Sequence, residues 1–396
     1  MQRGRARLAV SVDFPVERPG TGRFTAPDLG AIDVPVSHLT LGDTVRWELI
    51  GDTATTTFDG TFVGDSLSGA FREGERAGTF TLVRTSASTQ KRYSEEEVTF
   101  VNGGVRLSGT VLAPRSPGKH AALLFVHGSG PEGRWGAKPI ADYVARHGIV
   151  ALVYDKRGVG ASSGDWRKAT LQDLAADARA GIHLLAARSD VDPEKVGVYG
   201  HSQGAEIAPA IAQGNPQVRW IVAADGPVGT QYRQDLYRVD TALAGHYSGQ
   251  QLRDAERLYA EFVDVARNGG PHVQLRADIA TAGAAAWLDD LAIPGDDSWI
   301  WAWYRLVGNY DNTTAWSAVR VPVLLLFGAS DRLVPPGESI ATTSRILEAH
   351  DPSRVVVRVF PGADHTLRVP PETPDGWPHN APGFPAVIVD FAADAL

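Results

Sequence analysis

In the larger part of the chain, uninterrupted apolar runs set the pattern. AALLFV, IVALVY, KVGVY, WIVAA, VPVLLLF and RVVVRVF follow one another between residues 121 and 360. A strand with one wet face alternates apolar and polar side chains, whereas a strand covered on both faces is apolar at every position. Segments of helical character, such as residues 171–188 and 205–212, separate most of these runs. The pattern predicts an α/β chain, a mostly parallel sheet with helices on both faces. Ahead of it, VTFV and VRLSGTVLA flank Asn102-Gly103-Gly104 and predict a hairpin.

Up to about Lys91 the pattern differs, with short β-branched and aromatic runs broken by Gly-Asp, Asp-Gly and Glu-Gly pairs. GTF at Gly60, GAF at Gly69 and GTF at Gly78 recur at nine-residue steps, the length of a strand plus a turn. Residues 1–91 are therefore expected to form an antiparallel β-rich module, and residues 92–228 with 312–396 the α/β core. Residues 229–311 are far too long for a strand-to-helix connection. Within them Leu252, Ala255, Leu258, Phe262 and Val265 fall three or four apart, closed by Asn268-Gly269-Gly270-Pro271, so a helical cap over the sheet is expected. Trp287, Trp299, Trp301 and Trp303 lie in that cap and offer a pocket wall. The helical spacing of Trp299, Trp303 and Leu306 favours packing onto the sheet instead.

Composition narrows the classes. Lys and Arg number 38 against 46 Asp and Glu, a net charge of −8 with no basic cluster, so no nucleic-acid partner is expected. No window approaches the roughly 18 apolar residues of a membrane span. The opening MQRGRARLAV runs into charged sequence, so a soluble chain without a signal peptide is expected, its compartment and oligomeric state open. Cys is absent, which removes disulfides, thiolate metal sites and a Cys nucleophile. No metal-ligand spacing stands out, and neither a metal nor a cofactor is expected.

The candidate chemistry starts at Gly200-His201-Ser202-Gln203-Gly204. A serine hydroxyl is a poor nucleophile at neutral pH and needs a base within reach and an unobstructed approach. A sharp turn from the strand VGVY into the helix AEIAPAIA supplies the approach, and small residues must flank it. An acid and a base are expected after later strands. Asp331 follows VPVLLLF, and His365 follows RVVVRVF in Pro361-Gly362-Ala363-Asp364-His365. Asp225, Asp364, His350 and His379 are the rivals. Oxyanion donors are expected from the N–H of Gln203 and from His127-Gly128-Ser129-Gly130-Pro131, with Ser129 preferred and Gly130 its neighbouring alternative.

Three other motifs compete. GASSG at residues 160–164 has no helix behind it and reads as part of a structured loop at the sheet's edge, with Ser162 structural. GDSL at residues 64–67 reads as a hairpin turn. Gly128 to Gly133 spells GxGxxG after a strand, with Asp155 ending the next one, as in a dinucleotide fold. Glu132, bulky and negative, stands there against a pyrophosphate.

With GHSQG, HGSGP, YDKRGVGASSGDW, GASDRLVP and GADH in this order, the chain resembles the α/β-hydrolase superfamily. Within it the chain is similar to bacterial carboxylesterases of the EstD-like group, also labelled serine aminopeptidase-like hydrolases. The resemblance implies an α/β-hydrolase fold with a mostly parallel eight-stranded sheet, a lid, and Ser202, His365 and Asp331 as a triad with Gln203 and Ser129 as oxyanion donors. It also implies a small-molecule ester substrate. Amide or peptide cleavage and acyl transfer on the same triad are the alternatives, and a non-catalytic binding protein is the reading from another class.

Overall fold

The computed structural model describes residues 1–14, 21–50, 54–85 and 92–395. The nine-residue steps are hairpins: strands Thr55–Val63, Ser66–Glu73 and Arg76–Val83 pair antiparallel, Gly60 opposite Gly69 and Gly78 opposite Phe71. A Cβ on Gly69 would lie 2.0 Å from the Asp59 carbonyl oxygen, and one on Gly78 2.5 Å from the Phe71 ring, so both positions are kept bare by close packing. These strands belong to a seven-stranded sheet that shares an apolar core with a three-stranded one; in it Trp47 stacks on Phe58 at 4.6 Å. The module boundary expected at Lys91 lies outside the described residues.

Each apolar run is one strand of the main sheet. A hairpin, β1 (Tyr93–Asn102) and β2 (Val105–Pro114), leads into β3 (His120–Val126), β4 (Val150–Tyr154), β5 (Val191–His201), β6 (Trp220–Ala224), β7 (Val323–Gly328) and β8 (Val355–Phe360). Their order is β1-β2-β4-β3-β5-β6-β7-β8, antiparallel at the first two pairings and parallel at the rest. β4 is third in that order, so the loop after it, expected at the sheet's edge, instead follows the carboxyl end of an interior strand. Strand order does not follow chain order, and the run pattern does not carry it.

On the core, α1 (Lys138–Arg146), α2 (Leu171–Ala186) and α3 (Gln203–Ala212) precede the insertion. The insertion holds α4 (Gln231–Leu243), α5 (Gly249–Asn268), α6 (Val273–Ala282), α7 (Ala286–Asp290) and α8 (Trp299–Val307). Beyond it come α9 (Thr313–Ser317), α10 (Pro336–Glu348) and α11 (Ala386–Ala395). Alternate strand residues serve opposite faces: Leu124 and Ile221 pack with α2 and α3, Leu123 and Trp220 with α1 and α11. Both sets are apolar because both faces are covered.

The inserted helices have their own core around Leu258, Phe262, Trp301 and Tyr304. The chain leaves and returns at one point, where Thr230 bridges Asp311 and the buried Asn312 amide accepts from Gly229 N–H at 3.0 Å and donates to Pro227 O at 2.8 Å. Helix α4 is fastened to the loop after β7 by Tyr237 Oη to Asp331 O at 3.2 Å and Thr241 Oγ1 to Arg332 O at 3.0 Å.

Candidate active site

The turn between β5 and α3 puts Ser202 at φ 54° and ψ −118°, a left-handed backbone unusual for a residue with a side chain. Its N–H is held by Ala224 O at 2.9 Å. The flanking glycines follow from crowding: a Cβ on Gly200 would lie 2.3 Å from the Gly204 backbone, and one on Gly204 2.3 Å from Val126 O. Gln203 opens α3, so its N–H has no acceptor within the helix.

Asp331 and His365 arrive on the loops after β7 and β8. His365 Nδ1 donates to Asp331 Oδ2 at 2.7 Å, and Asp331 Oδ1 accepts from Leu333 N–H at 2.7 Å and Val334 N–H at 3.0 Å. Ser202, Gln203, Ser129 and His365 line one cavity of about 550 Å³ between the sheet and the inserted helices. Four of the five sequence candidates, the serine among them, thus share a cavity, with Asp331 behind the imidazole. Among the contacts of the described residues, Ser202 Oγ and His365 are not hydrogen-bonded to each other; such bonds often tighten only with substrate in place.

The rivals fall elsewhere. Asp225 is fully buried at φ 48°, and its Oδ1 accepts from Gly328 N–H at 2.8 Å. Burial first, and then the charge of Asp331, push its carboxyl well above the usual range, so it stays neutral beside the Asp331–His365 pair. These three residues each bring a polar atom within 4.8 Å of the others. Asp364 Oδ1 caps its own loop through Thr366 N–H at 2.8 Å. His350 bonds Ser317 O at 3.0 Å on the surface, and His379 lies in a short strand beside Val369.

The loop after β3 is held from beneath. Lys156 Nζ donates to Gly128 O at 2.5 Å and Gly130 O at 2.8 Å, its ammonium pulled down to about 8 by burial. Glu132 Oε2 accepts from Gly128 N–H at 2.8 Å, which occupies the turn that a pyrophosphate oxygen needs. Asp155 is buried against Arg134 at 2.9 Å instead of facing a ribose. Ser162 Oγ donates to Asp155 O at 2.7 Å and accepts from Ser108 N–H at 2.9 Å, a structural serine, and Gly64-Asp65 is the turn of a hairpin.

The tryptophans divide. Trp287 and Trp301 pack inside the cap core, whereas Trp299 and Trp303 line the cavity, and Trp299 is 43% exposed. Packing of that stripe onto the sheet holds for Trp303, which also packs against the sheet's core, and fails for the exposed Trp299: helical spacing shows that a helix face is apolar, not what lies opposite each residue.

Two residues of the site have no place in the motif reading. His201 Nε2 donates to His365 O at 2.8 Å, and burial, then the neighbouring His365, hold its ring near pKa 4 and neutral. Glu206, one turn beyond Ser202, lines the cavity at 1% exposure, and burial pushes its carboxyl up to about 8. Its signal was available, since it is the single charged residue of α3.

Residues 123–377 match the Alpha/beta hydrolase family. The chain belongs to that family. It is 27% identical over 295 residues to the Mycobacterium tuberculosis protein Rv2307c, 74% of this chain and 78% of that one. It is 31% identical over 156 residues to the esterase EstD of Thermotoga maritima, 36% of each chain. The Pyrococcus furiosus esterase PF2001 superposes with a TM-score of 0.51 at 16% identity, covering 79% of this chain and 93% of that one, a likeness of fold. The coarse activity of this family member is hydrolysis. Among its described residues no helix is long and apolar enough to cross a membrane.

Proposed function

We propose that this hydrolase is a serine carboxylesterase acting on small-molecule esters, with residues 229–311 as its lid and residues 1–91 as a supporting module. The observation that carries the reading is the Asp331–His365 hydrogen bond of 2.7 Å behind a cavity that Ser202 enters from a left-handed turn. Ser202 Oγ attacks the ester carbonyl carbon while His365 Nε2 takes its proton, and Asp331 holds Nδ1–H so that Nε2 is free to accept. The carbonyl oxygen, now negative, meets the N–H groups of Gln203 and Ser129. His365 passes the proton to the departing alkoxide, then takes one from the water that attacks the acyl-enzyme, and returns it to Ser202 as the acid leaves. The similarity to a protein named an esterase supports the ester as substrate over the amide.

The test is a panel of nitrophenyl esters of graded chain length, run beside aminoacyl amides at equal concentration. Ester turnover is expected, with Ser202→Ala losing about 10⁴-fold or more and no longer taking a phosphonate label. Near-normal hydrolysis by Ser202→Ala removes the nucleophile assignment, and faster amide turnover removes the esterase reading.

A further inference from the structure

A line of hydrogen bonds runs from the Asp331 loop to Glu206, and its direction is fixed at one end. Gln234 Nε2 donates to Leu333 O at 2.6 Å. A backbone carbonyl only accepts, so Gln234 turns its amide oxygen away from it, where that oxygen accepts from Gln231 Nε2 at 2.8 Å. The oxygen of Gln231 is then left facing the Glu206 carboxyl, 2.8 Å from Oε2 and 3.1 Å from Oε1. Two acceptors do not sit at that distance unless one of them carries a proton. Turning Gln231 over relieves Glu206 but sets the Gln231 oxygen against that of Gln234 at 2.8 Å. Turning Gln234 as well sets its oxygen against Leu333 O at 2.6 Å. Only a protonated Glu206 leaves every group in the line with a partner of the right kind.

We propose that Glu206 is a positioning residue that works as a neutral carboxylic acid, donating its proton to Gln231 and so tying the serine-bearing helix α3 through the cap helix α4 to the loop that carries Asp331. Both ends of the line reach the reacting groups. Glu206 N–H donates to Ser202 O at 2.9 Å, and Leu333 N–H donates to Asp331 Oδ1 at 2.7 Å. The proton therefore sets how the cap sits on the nucleophile and on the acid together. The inference rests on Ser202 and Asp331 acting as proposed above.

The surroundings agree. Glu206 is 1% exposed, and burial raises its carboxyl from 4.5 to about 8. Tyr310, in the segment between α8 and α9, is the phenol that feels its charge and is itself raised, by burial first. On α4, Asp235 and Arg238 line the same cavity but pair with each other at 2.7 Å. Across the cavity stand His365, bound to Asp331, and the neutral His201, together with Glu132, whose Oε2 accepts from Gly128 N–H. No lysine lines this cavity among the described residues.

A carboxamide reproduces a protonated carboxyl, with one donor toward Gln231 and one acceptor, whereas leucine reproduces only bulk. The experiment compares the full-length protein with its Glu206→Gln and Glu206→Leu variants. The sign follows from proton counting: between pH 4.5 and about 8 the folded chain holds a proton on Glu206 that the unfolded chain has lost, so this group costs stability as pH rises through that window. Glu206→Gln has no such cost. Its melting temperature is expected to gain on that of the parent from pH 4.5 to about 8 and to hold level above. Lys156, brought down to about 8, titrates in both proteins and cancels in the difference. At neutral pH, Glu206→Gln is expected to keep ester turnover within about threefold of the parent, while Glu206→Leu loses roughly tenfold or more in kcat through misplacement of the reacting groups. A flat melting difference, or Glu206→Gln falling as far as Glu206→Leu, overturns the proposal. Should the parent hydrolyse no ester, the widening melting gap still supports the proton on Glu206, and the esterase reading alone falls.

Discussion

Asp225 and Asp331 stand at the carboxyl ends of neighbouring strands, and their surroundings sort them: burial raises the Asp225 carboxyl, whereas Asp331 is held by hydrogen bonds. Asp331 has two backbone N–H donors and an imidazole to stabilise its charge. Asp225 has one such donor, Gly328 N–H, and its Oδ2 is buried without one among the described residues. The two asparagine variants separate the roles. Asp225→Asn keeps an acceptor for Gly328 and a donor toward Asp331, so turnover within a few-fold of the parent is expected. Asp331→Asn leaves His365 in the wrong tautomer and is expected to lose about 10⁴-fold in kcat. Steady-state ester hydrolysis by both variants at neutral pH checks the assignment, and the reverse ranking makes Asp225 the acid. Such sorting is invisible along the chain, where each residue is simply an aspartate after an apolar run.

At the scale of elements, the loop between β3 and α1 is held by Arg134 as well as by Lys156. Arg134 donates to Asp155 Oδ1 and Oδ2 at 3.1 and 2.9 Å, to Glu97 at 2.6 Å, to Thr110 at 2.8 Å and to Ser108 at 2.7 Å, joining the loop to β1, β2 and the end of β4. Removing one partner of a buried pair strands the other, so Arg134→Met is expected to cost about 3–5 kcal/mol in urea unfolding. Adding Asp155→Asn to it is expected to recover part of that loss, since the stranded charge is gone; simple addition of two penalties contradicts the account. The sequence discloses this loop only in part. HGSGP after AALLFV marks a glycine-rich turn at the cavity, where the oxyanion donor is proposed, because such a turn after a buried strand is a local property. Arg134 and Glu97 are 37 residues apart, and nothing in their neighbourhoods indicates that they meet. The strands themselves were legible because apolar residues at both alternate positions can mean burial on two faces, and the elbow because glycines on either side of Ser202 answer a local steric demand. What faces a helix was legible only in part, as Trp303 packs against the sheet's core while Trp299, on the same stripe, is exposed at the cavity.

For the whole molecule, the leading β module contacts the segment that follows the candidate histidine. It docks where α1 begins, with Lys138 buried between Asp33 of the module and Glu95 of β1 at 3.2 and 3.0 Å. It also grips the segment that follows His365. Arg368 donates to Leu29 O, and Arg3 donates to Asp375 O at 2.9 Å and Gly376 O at 2.5 Å with its guanidinium 4.4 Å over the Trp377 ring. That segment is continuous with the His365 turn, because Asp364 N–H donates to Arg368 O at 2.8 Å and Asp364 Oδ1 accepts from Arg368 N–H at 3.2 Å. Loosening the module is therefore expected to move the imidazole, and on the proposed mechanism a small displacement there carries a large rate penalty. Arg3→Ala removes the Arg3 part of the grip without deleting any strand, and it is expected to cost about 1–3 kcal/mol of stability from the carbonyls left unpaired. Its kcat for a good nitrophenyl ester is expected to fall roughly three- to tenfold with KM little changed, because Arg3 lies outside the cavity lining and acts only through the placement of His365. A variant that loses stability at full kcat assigns the module to packing alone, whereas a rise in KM without a fall in kcat would mean that it shapes the substrate cavity instead of the reacting groups.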